Sequence, residues 1–293
     1  MKVFVTGASG FVGTAVVQEL LRAGHQVLGL ARSDESAQAL TAAGAEVHQG
    51  SLDDPASLQA GAAASDGVIH LAFNHDFSQY QAAAATDHRA IEAMGEVLAN
   101  SQRPLVVTSG LAGFAAGRLA TEQDKPAAGA RTSEQAALAL VPQGVRASVV
   151  RLAASVHDAG DHGFVPYLIE VARQKGEAAY LGEGLNRWPA VHRLDAAHLF
   201  RLALEQGKAG ACYHGVADEG IAFRDLAIVI GQHLGVPVVS KPLAEATDHF
   251  GWMGRFAALD LAASSALTQQ WLGWHPTHAG LLADLAQGDY FTK

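Results

Sequence analysis

The chain has 293 residues, 49% hydrophobic and 17% charged, enough for one large α/β domain or a nucleotide domain with a smaller lobe. A formal charge of −9 and the lack of any Lys/Arg block argue against nucleic acid as a partner. The single cysteine, Cys212, excludes an intrachain disulfide, and no apolar run reaches the roughly eighteen residues that a membrane span needs.

In chain order, residues 2–5 read as the first strand. It runs straight into Thr6-Gly7-Ala8-Ser9-Gly10-Phe11-Val12-Gly13 and then a helical pattern over 12–23. Glycines spaced this way give a tight turn, let backbone approach a diphosphate, and let the helix pack close to the strand. The helix amino terminus adds free N–H groups and the positive end of its dipole. The motif therefore predicts a dinucleotide site; the plain alternative is a glycine-rich turn without a ligand. With a strand at the start and no leader-like segment before it, a cytoplasmic protein is expected.

Further strands are expected at 26–30, 46–49, 67–72, 104–108 and 146–152, with helices at 34–43, 55–62, 78–100 and 131–141 between them. This alternation predicts an α/β fold with a doubly wound parallel sheet joined by right-handed crossovers. Ligands of such sheets bind beyond the carboxyl ends of the strands, which points to the residues that follow each strand. After the second strand stand Arg32 and Ser33, a guanidinium and a hydroxyl suited to a 2′-phosphate. They favour NADP over NAD, although Arg32 also reads as a solvated loop charge. After the third strand, Asp53 is placed to accept from the adenine amino group, or simply to cap the helix that starts at Pro55. Leu71, Ala72 and Phe73 stand at the end of the fourth strand, Thr108 and Ser109 at the end of the fifth, and Leu152 and Ser155 at the end of the sixth. Asn74, His75 and Asp76 lie within reach of a nicotinamide ribose or form an ordinary loop. Residues 111–130, rich in Ala and Gly, are expected to form a mobile loop.

Past Leu152 the rhythm loosens. Helical patterns at 164–175, 194–206, 223–234 and 279–286 mix with short strands at 178–181, 211–215 and 237–240. The expected division is a dinucleotide domain over 1–152 and a smaller, discontinuous lobe over 153–293. That lobe is expected to return to the first domain around 191–215.

These motifs resemble an extended short-chain dehydrogenase/reductase of the epimerase/dehydratase branch, a Rossmann-type fold with a carboxy-terminal substrate lobe. The likeness rests on Thr6–Gly13, on Ile69-His70-Leu71-Ala72, on Val106-Val107-Thr108-Ser109 and on Val150-Arg151-Leu152. It continues in Val191-His192-Arg193-Leu194-Asp195-Ala196-Ala197 and in Leu272-Gly273-Trp274-His275-Pro276. The resemblance implies a nicotinamide cofactor, and a homodimer formed through the helices at 78–100 and 131–141. It also exposes a departure. The family's engine is Tyr-x-x-x-Lys, in which Tyr moves the hydroxyl proton and Lys lowers its pKa. None of Tyr80, Tyr167, Tyr180, Tyr213 and Tyr290 has Lys four residues later. By the resemblance Glu134 falls on the Lys position and Ala130 on the Tyr position, or Arg131 with a one-residue shift.

Other groups must then carry the chemistry. Ser109 is a hydroxyl at a strand tip. The run Ser155–Phe164 contains His157 and His162, and Asn186–Arg193 contains Arg187, Trp188, His192 and Arg193. Histidine titrates near neutrality and serves as a general acid, and arginine polarises a carbonyl or clamps an anion. Ser109, His157, His192 and Arg187 are the catalytic candidates, with Trp188 as a possible apolar wall; no metal site is expected. Each has a plain alternative: strand-end bonding for Ser109, core packing for the histidines, a lobe-docking ion pair for Arg187. Phe250, Trp252 and Phe256 read as core or as a greasy lid. The resulting expectation is an NADP-dependent reductase of a small or medium carbonyl or imine. The alternatives are an epimerase or dehydratase that uses its cofactor transiently, and a non-catalytic NADP-binding sensor.

Overall fold

The computed structural model describes residues 1–74, 79–114, 117–126 and 132–292. Six strands alternate with helices through the first half: β1 (Lys2–Thr6), α1 (Phe11–Arg22), β2 (Gln26–Ala31), α2 (Asp34–Ala42), β3 (Glu46–Gln49), α3 (Pro55–Ala63), β4 (Gly67–His70), α4 (Tyr80–Leu98), β5 (Pro104–Gly110), α5 (Ser133–Ala139) and β6 (Arg146–Leu152). A strand from the second half, β10 (Cys212–Gly215), joins them. The order across the sheet is β3-β2-β1-β4-β5-β6-β10, and every neighbouring pair is parallel. The switch in strand order between β1 and β4 opens a crevice at their carboxyl ends, directly above Thr6–Gly13.

Both faces of this sheet are covered, so its central strands are apolar throughout rather than alternating. Val3, Phe4, Val5, Val68, Ile69, Val106 and Val107 are all fully buried. On one face α1 packs against α7 (Arg193–Gln206), burying Val16, Val17 and Leu20 against Leu199, Phe200 and Ala203. On the other, α3, α4 and α5 bury Leu58, Ile91, Met94 and Leu140. Start signals in the sequence set the local ends. Ser33 Oγ accepts the Ser36 N–H at the start of α2. Asp54 Oδ1 accepts the Ser57 N–H at the start of α3, with Pro55 in the first turn. The cap is thus Asp54, and Asp53, one residue earlier, is left with an exposed carboxylate.

The remaining elements form the second lobe. A three-stranded sheet has β9 (Arg187–His192) between β7 (Ser155–His157) and β11 (Asp218–Ala222). A parallel pair joins β8 (Ala178–Leu181) to β12 (Val238–Lys241). Helices α6 (Phe164–Lys175), α8 (Phe223–Leu234), α9 (Ala246–Phe250), α10 (Gly254–Ala257) and α12 (Leu281–Gln287) complete it, while α11 (Ala266–Leu272) packs on α7 and β10 of the first domain. Val165, Ile169, Trp188, Phe223, Leu226, Phe250 and Leu281 form its core. The segment 186–193 reads as a polar cluster in sequence but is largely the central strand of this sheet. Trp188, expected as a cleft wall, is fully buried against Phe164, Phe223 and Phe256. Of the loop expected to be mobile, the described part is tied down. Leu111 and Ala120 are buried, Ala120 bridges to Ala263, and Arg118 pairs with Asp124 at 2.6 Å. Among the described residues no helix is long and apolar enough to cross a membrane.

Candidate dinucleotide and substrate cleft

A cleft of about 870 Å³ runs between the carboxyl ends of the central strands and the second lobe. Gly7, Gly10, Phe11, Val12 and Gly13 form one end, Leu71, Ala72 and Phe73 one side, and Ala154, Ser155 and Val156 the floor. Asp161, His162, Gly163, Phe164, Tyr167 and Trp252 form the wall that the second lobe supplies, with the His162 ring 5.7 Å from Phe11 at the glycine end.

The glycine end is built for a diphosphate. Gly10 caps α1 without any side-chain hydrogen bond, so the first N–H groups of the helix point into the cleft. Gly7 has φ +67, and a Cβ there would lie 2.7 Å from Ala72 N. At Gly13 a Cβ would fall 1.9 Å from Gly7 O, so only glycine lets α1 sit this close to the loop. Beyond β2, Arg32 and Ser33 are both exposed. The Ser33 hydroxyl is engaged with Ser36 at 2.7 Å, whereas Arg32 bonds to no described residue. An uncapped helix end, a cradle that a Cβ would fill and an uncommitted guanidinium fit a nicotinamide dinucleotide.

A buried polar chain supports this end from below. Thr6 Oγ1 accepts the Ala72 N–H at 3.3 Å and lies 2.7 Å from His70 Nδ1. His70 Nε2 lies 3.1 Å from Asp87 Oδ1, and Ser133 Oγ donates to Asp87 Oδ2. With Asp87 accepting from Nε2–H, Thr6 donates to Nδ1. Thr108 Oγ1 donates to the His70 carbonyl at 2.8 Å. The chain ties the glycine loop, the tip of β4, α4 and the start of α5 into one unit.

Glu134, which the family resemblance puts at the lysine position, anchors a second buried network. Glu134 receives two hydrogen bonds from Arg151, Nε to Oε2 at 2.8 Å and Nη2 to Oε1 at 2.7 Å. Arg151 is 1% exposed and also donates to the carbonyls of Glu122 and Asp124, with its guanidinium over the Phe114 ring. His214 Nδ1 donates to Ser264 O at 2.7 Å, which leaves Nε2 to accept from Arg151 Nη1 at 3.1 Å. Burial, reinforced by the Arg151 charge, holds His214 down to about 4. The unfolded chain takes up that proton near 6.5, so folding stability is intact above pH 6.5 and falls as pH drops toward 4. We expect the stability gap between wild type and His214→Gln at pH 7 to shrink by roughly 2–3 kcal/mol at pH 4. Urea unfolding at both pH values reads this directly, and a constant gap would disprove it. Positions 130 and 131, aligned with the missing phenol, lie outside the described residues, as do His75 and Asp76.

The four catalytic candidates are not gathered on the cleft. His157 is fully buried behind it, with Nδ1 on Asp284 Oδ2 at 2.8 Å. His192 caps α7 by accepting the Leu194 N–H, and its ring stacks on His278 at 4.5 Å. Arg187 is clamped by Asp260, which holds that carboxyl down to about 2. Ser109, next to last in β5 and paired with Arg151, is 5% exposed, and its hydroxyl bonds to no described residue. Of the dinucleotide candidates, Gly7, Gly10–Gly13, Leu71–Phe73 and Ser155 line the cleft. Arg193, the other cation of the cluster, binds Asp158 through Nε and Nη2 and lies over the Phe11 ring. Asp195, in the first turn of α7, is buried and accepts from Thr277 N and from His278 N and Nδ1. Tyr290 and Asp284, near the cleft, carried no sequence signal. Tyr290 Oη accepts the Asp158 N–H at 3.2 Å and stands 3.5 Å from both Asp161 Oδ2 and Asp284 Oδ2.

Comparison with known proteins agrees with this geometry. Residues 3–107 match the model of the NAD dependent epimerase/dehydratase family. An uncharacterized protein of Schizosaccharomyces pombe is 52% identical over 99% of this chain and 100% of its own length. One of Saccharomyces cerevisiae is 46% identical over 97% and 98%. A 2-alkyl-3-oxoalkanoate reductase of Stenotrophomonas maltophilia is 29% identical over 83% of this chain and 79% of its own. Among solved structures, a dTDP-glucose 4,6-dehydratase of Streptomyces venezuelae with NAD bound superposes with a TM-score of 0.78. It is 18% identical, over 98% of this chain and 95% of that one. The chain belongs to the NAD dependent epimerase/dehydratase family, within the extended short-chain dehydrogenase/reductases, and is an NAD(P)-dependent oxidoreductase of that type.

Proposed function

We propose that the protein uses NADPH to reduce an apolar carbonyl compound of small or medium size, with a proton donor other than the family's tyrosine. The observation that carries this is the make-up of the cleft. A dinucleotide cradle opens into a chamber walled by Phe73, Phe164, Tyr167 and Trp252, with no Lys or Arg among its described lining residues. Such a wall suits an alkyl or aromatic ketone or aldehyde. A nucleotide sugar would need a cationic clamp for its diphosphate, and the two arginines expected to supply one are committed to Asp260 and Asp158. The relative named as a 2-alkyl-3-oxoalkanoate reductase acts, by that name, on a ketone carbonyl and supports the reduction rather than the apolar character of the substrate.

A bound reduced nicotinamide supplies the hydride; the protein's part is to bind, orient and exclude water. The N–H groups at the start of α1 hold the diphosphate, and Arg32 takes the 2′-phosphate. Leu71, Ala72, Phe73 and Ser155 line the section between the phosphate end and the aromatic wall. The test is a fluorescence titration of NADPH and NADH, followed by NADPH oxidation with a panel of aromatic and aliphatic ketones and aldehydes. Arg32→Ala is expected to weaken NADPH about 10- to 100-fold, the worth of a charge-assisted bond, and NADH less than about twofold. Equal weakening of both would remove the 2′-phosphate assignment.

A further inference from the structure

We propose that Asp161 is the proton donor for the carbonyl oxygen, held in place by Tyr290. This rests on the reductase reading above and names the group that replaces the missing phenol.

The titratable side chains among the described lining residues of the cleft are Asp161, His162 and Tyr167. Tyr167 is committed, its Oη donating to Phe250 O at 3.0 Å. His162 is exposed, with its ring edge on Phe11. Asp161 is half-buried and held in place, since Oδ1 accepts the Gly163 N–H at 2.7 Å just before α6. Its other oxygen, Oδ2, faces Tyr290 Oη at 3.5 Å.

Behind Tyr290 lies a closed acid–imidazole cluster. Asp284 Oδ2 is 3.5 Å from Tyr290 Oη and 2.8 Å from His157 Nδ1. His157 Nε2 is buried with no hydrogen-bond partner. Asp158 is neutralised by Arg193. The groups that face Asp161 are therefore Tyr290 and, beyond it, Asp284 and Asp158, with His162 and His157 as the cationic influences when protonated. Burial raises the Asp161 carboxyl to about 6, against the Gly163 N–H and the two histidines, so it carries a proton into the range where carbonyl reduction needs one. Tyr290, whose phenol is pushed up by burial and by these carboxylates, stays neutral and can donate its hydroxyl proton to Asp161 Oδ2 as a hydrogen bond.

In the step, the carbonyl carbon gains a hydride from the reduced nicotinamide and forms a C–H bond. The C=O π pair moves to oxygen, which takes the Asp161 proton. Alcohol, oxidised nicotinamide and the Asp161 carboxylate remain, and the half-exposed carboxylate recovers its proton from solvent while Tyr290 Oη holds its Oδ2.

The experiment compares wild type, Asp161→Asn, Asp161→Glu and Tyr290→Phe between pH 5 and 9, with 4-nitrobenzaldehyde and acetophenone as substrates. NADPH affinity and Tm are measured alongside, and the Asp161 carboxyl is followed by carbon NMR in the free protein. For wild type, kcat is expected to hold below about pH 6 and fall up to about tenfold per pH unit above it, matching the carboxyl titration. Asp161→Asn should lose kcat about 100-fold or more, with KM, NADPH affinity and Tm little changed, and Asp161→Glu should recover part of it. Tyr290→Phe should lower kcat less than Asp161→Asn does. If Asp161→Asn keeps the wild-type kcat and pH profile, or if the carboxyl titrates at an ordinary value near 4, the assignment is overturned and the reductase reading stands. If wild type binds NADPH but reduces neither these two nor any other carbonyl, both fall.

Discussion

Replacing Arg151 by Met is expected to cost about 3–5 kcal/mol of folding stability. Arg151 is 1% exposed, and its guanidinium is fully spoken for by Glu134, two backbone carbonyls and His214. Met fills a similar volume but offers no donor. The substitution strands a buried carboxylate at Glu134, which is 6% exposed, and leaves the Glu122 and Asp124 carbonyls without their partner. The penalty is the uncompensated charge rather than lost packing. Glu134→Leu alone should therefore cost a similar amount by stranding the guanidinium, while the pair Arg151→Met with Glu134→Leu should recover at least about 2 kcal/mol of the summed loss. Urea unfolding of the four proteins measures the coupling. If the Arg151 variant lies within about 1 kcal/mol of wild type, the ion pair is not buried as described. The functional meaning is direct. By the family resemblance Glu134 stands where the catalytic lysine would be. The acid is absent from the described lining of the cleft and consumed by an arginine of β6, so it serves the fold.

How far the sequence could be read depended on whether the controlling interactions were local. The strands at 46–49 and 146–152 fall at their expected bounds, because apolar runs between turn residues are a local signal. The glycine loop is legible for the same reason: each glycine answers to backbone atoms only a few residues away, or to the tip of the adjacent strand. Segment 186–193 misled because Arg187, Pro189 and His192 look like loop residues. Pairing with β7 on one side and β11 on the other makes most of that segment a central strand, and drives Trp188 into the core. Asp53 and Asp54 differ by a single position, and only the geometry of the Ser57 N–H decides which one caps α3. His157 and His192 stand close together, at 5.4 Å between rings, yet behind the cleft rather than on it. What closes them off is Asp284 and His278, brought from more than eighty residues away in the chain. No local pattern predicts such a contact, and the same distance in sequence hides Tyr290 beside Asp161.

Gly13→Ala should weaken NADPH binding at least about 100-fold while the protein stays folded, since the phosphates depend on the N–H groups this residue positions. The added Cβ would stand 1.9 Å from Gly7 O, 2.8 Å from Gly7 C and 2.9 Å from Ala8 Cα. All three are backbone, and none can rotate away. Relief requires the start of α1 to move off the glycine loop by an ångström or more, and the N–H groups of Phe11, Val12 and Gly13 go with it. Charge-assisted bonds to those groups are steep in distance, so a displacement that leaves the protein folded, though less stable by about 1–3 kcal/mol, removes most of the affinity. A control separates binding from general destabilisation. Gly24, just past the other end of the same helix, has φ +83 with nothing within 4 Å of its Cβ position. Gly24→Ala should cost about 1 kcal/mol for the left-handed backbone yet leave the NADPH affinity unchanged. Titration of both variants by nicotinamide fluorescence decides the matter. Binding by Gly13→Ala within threefold of wild type would mean that the phosphates do not sit on the start of α1. Equal losses in the two variants would mean that the affinity follows stability rather than the cradle.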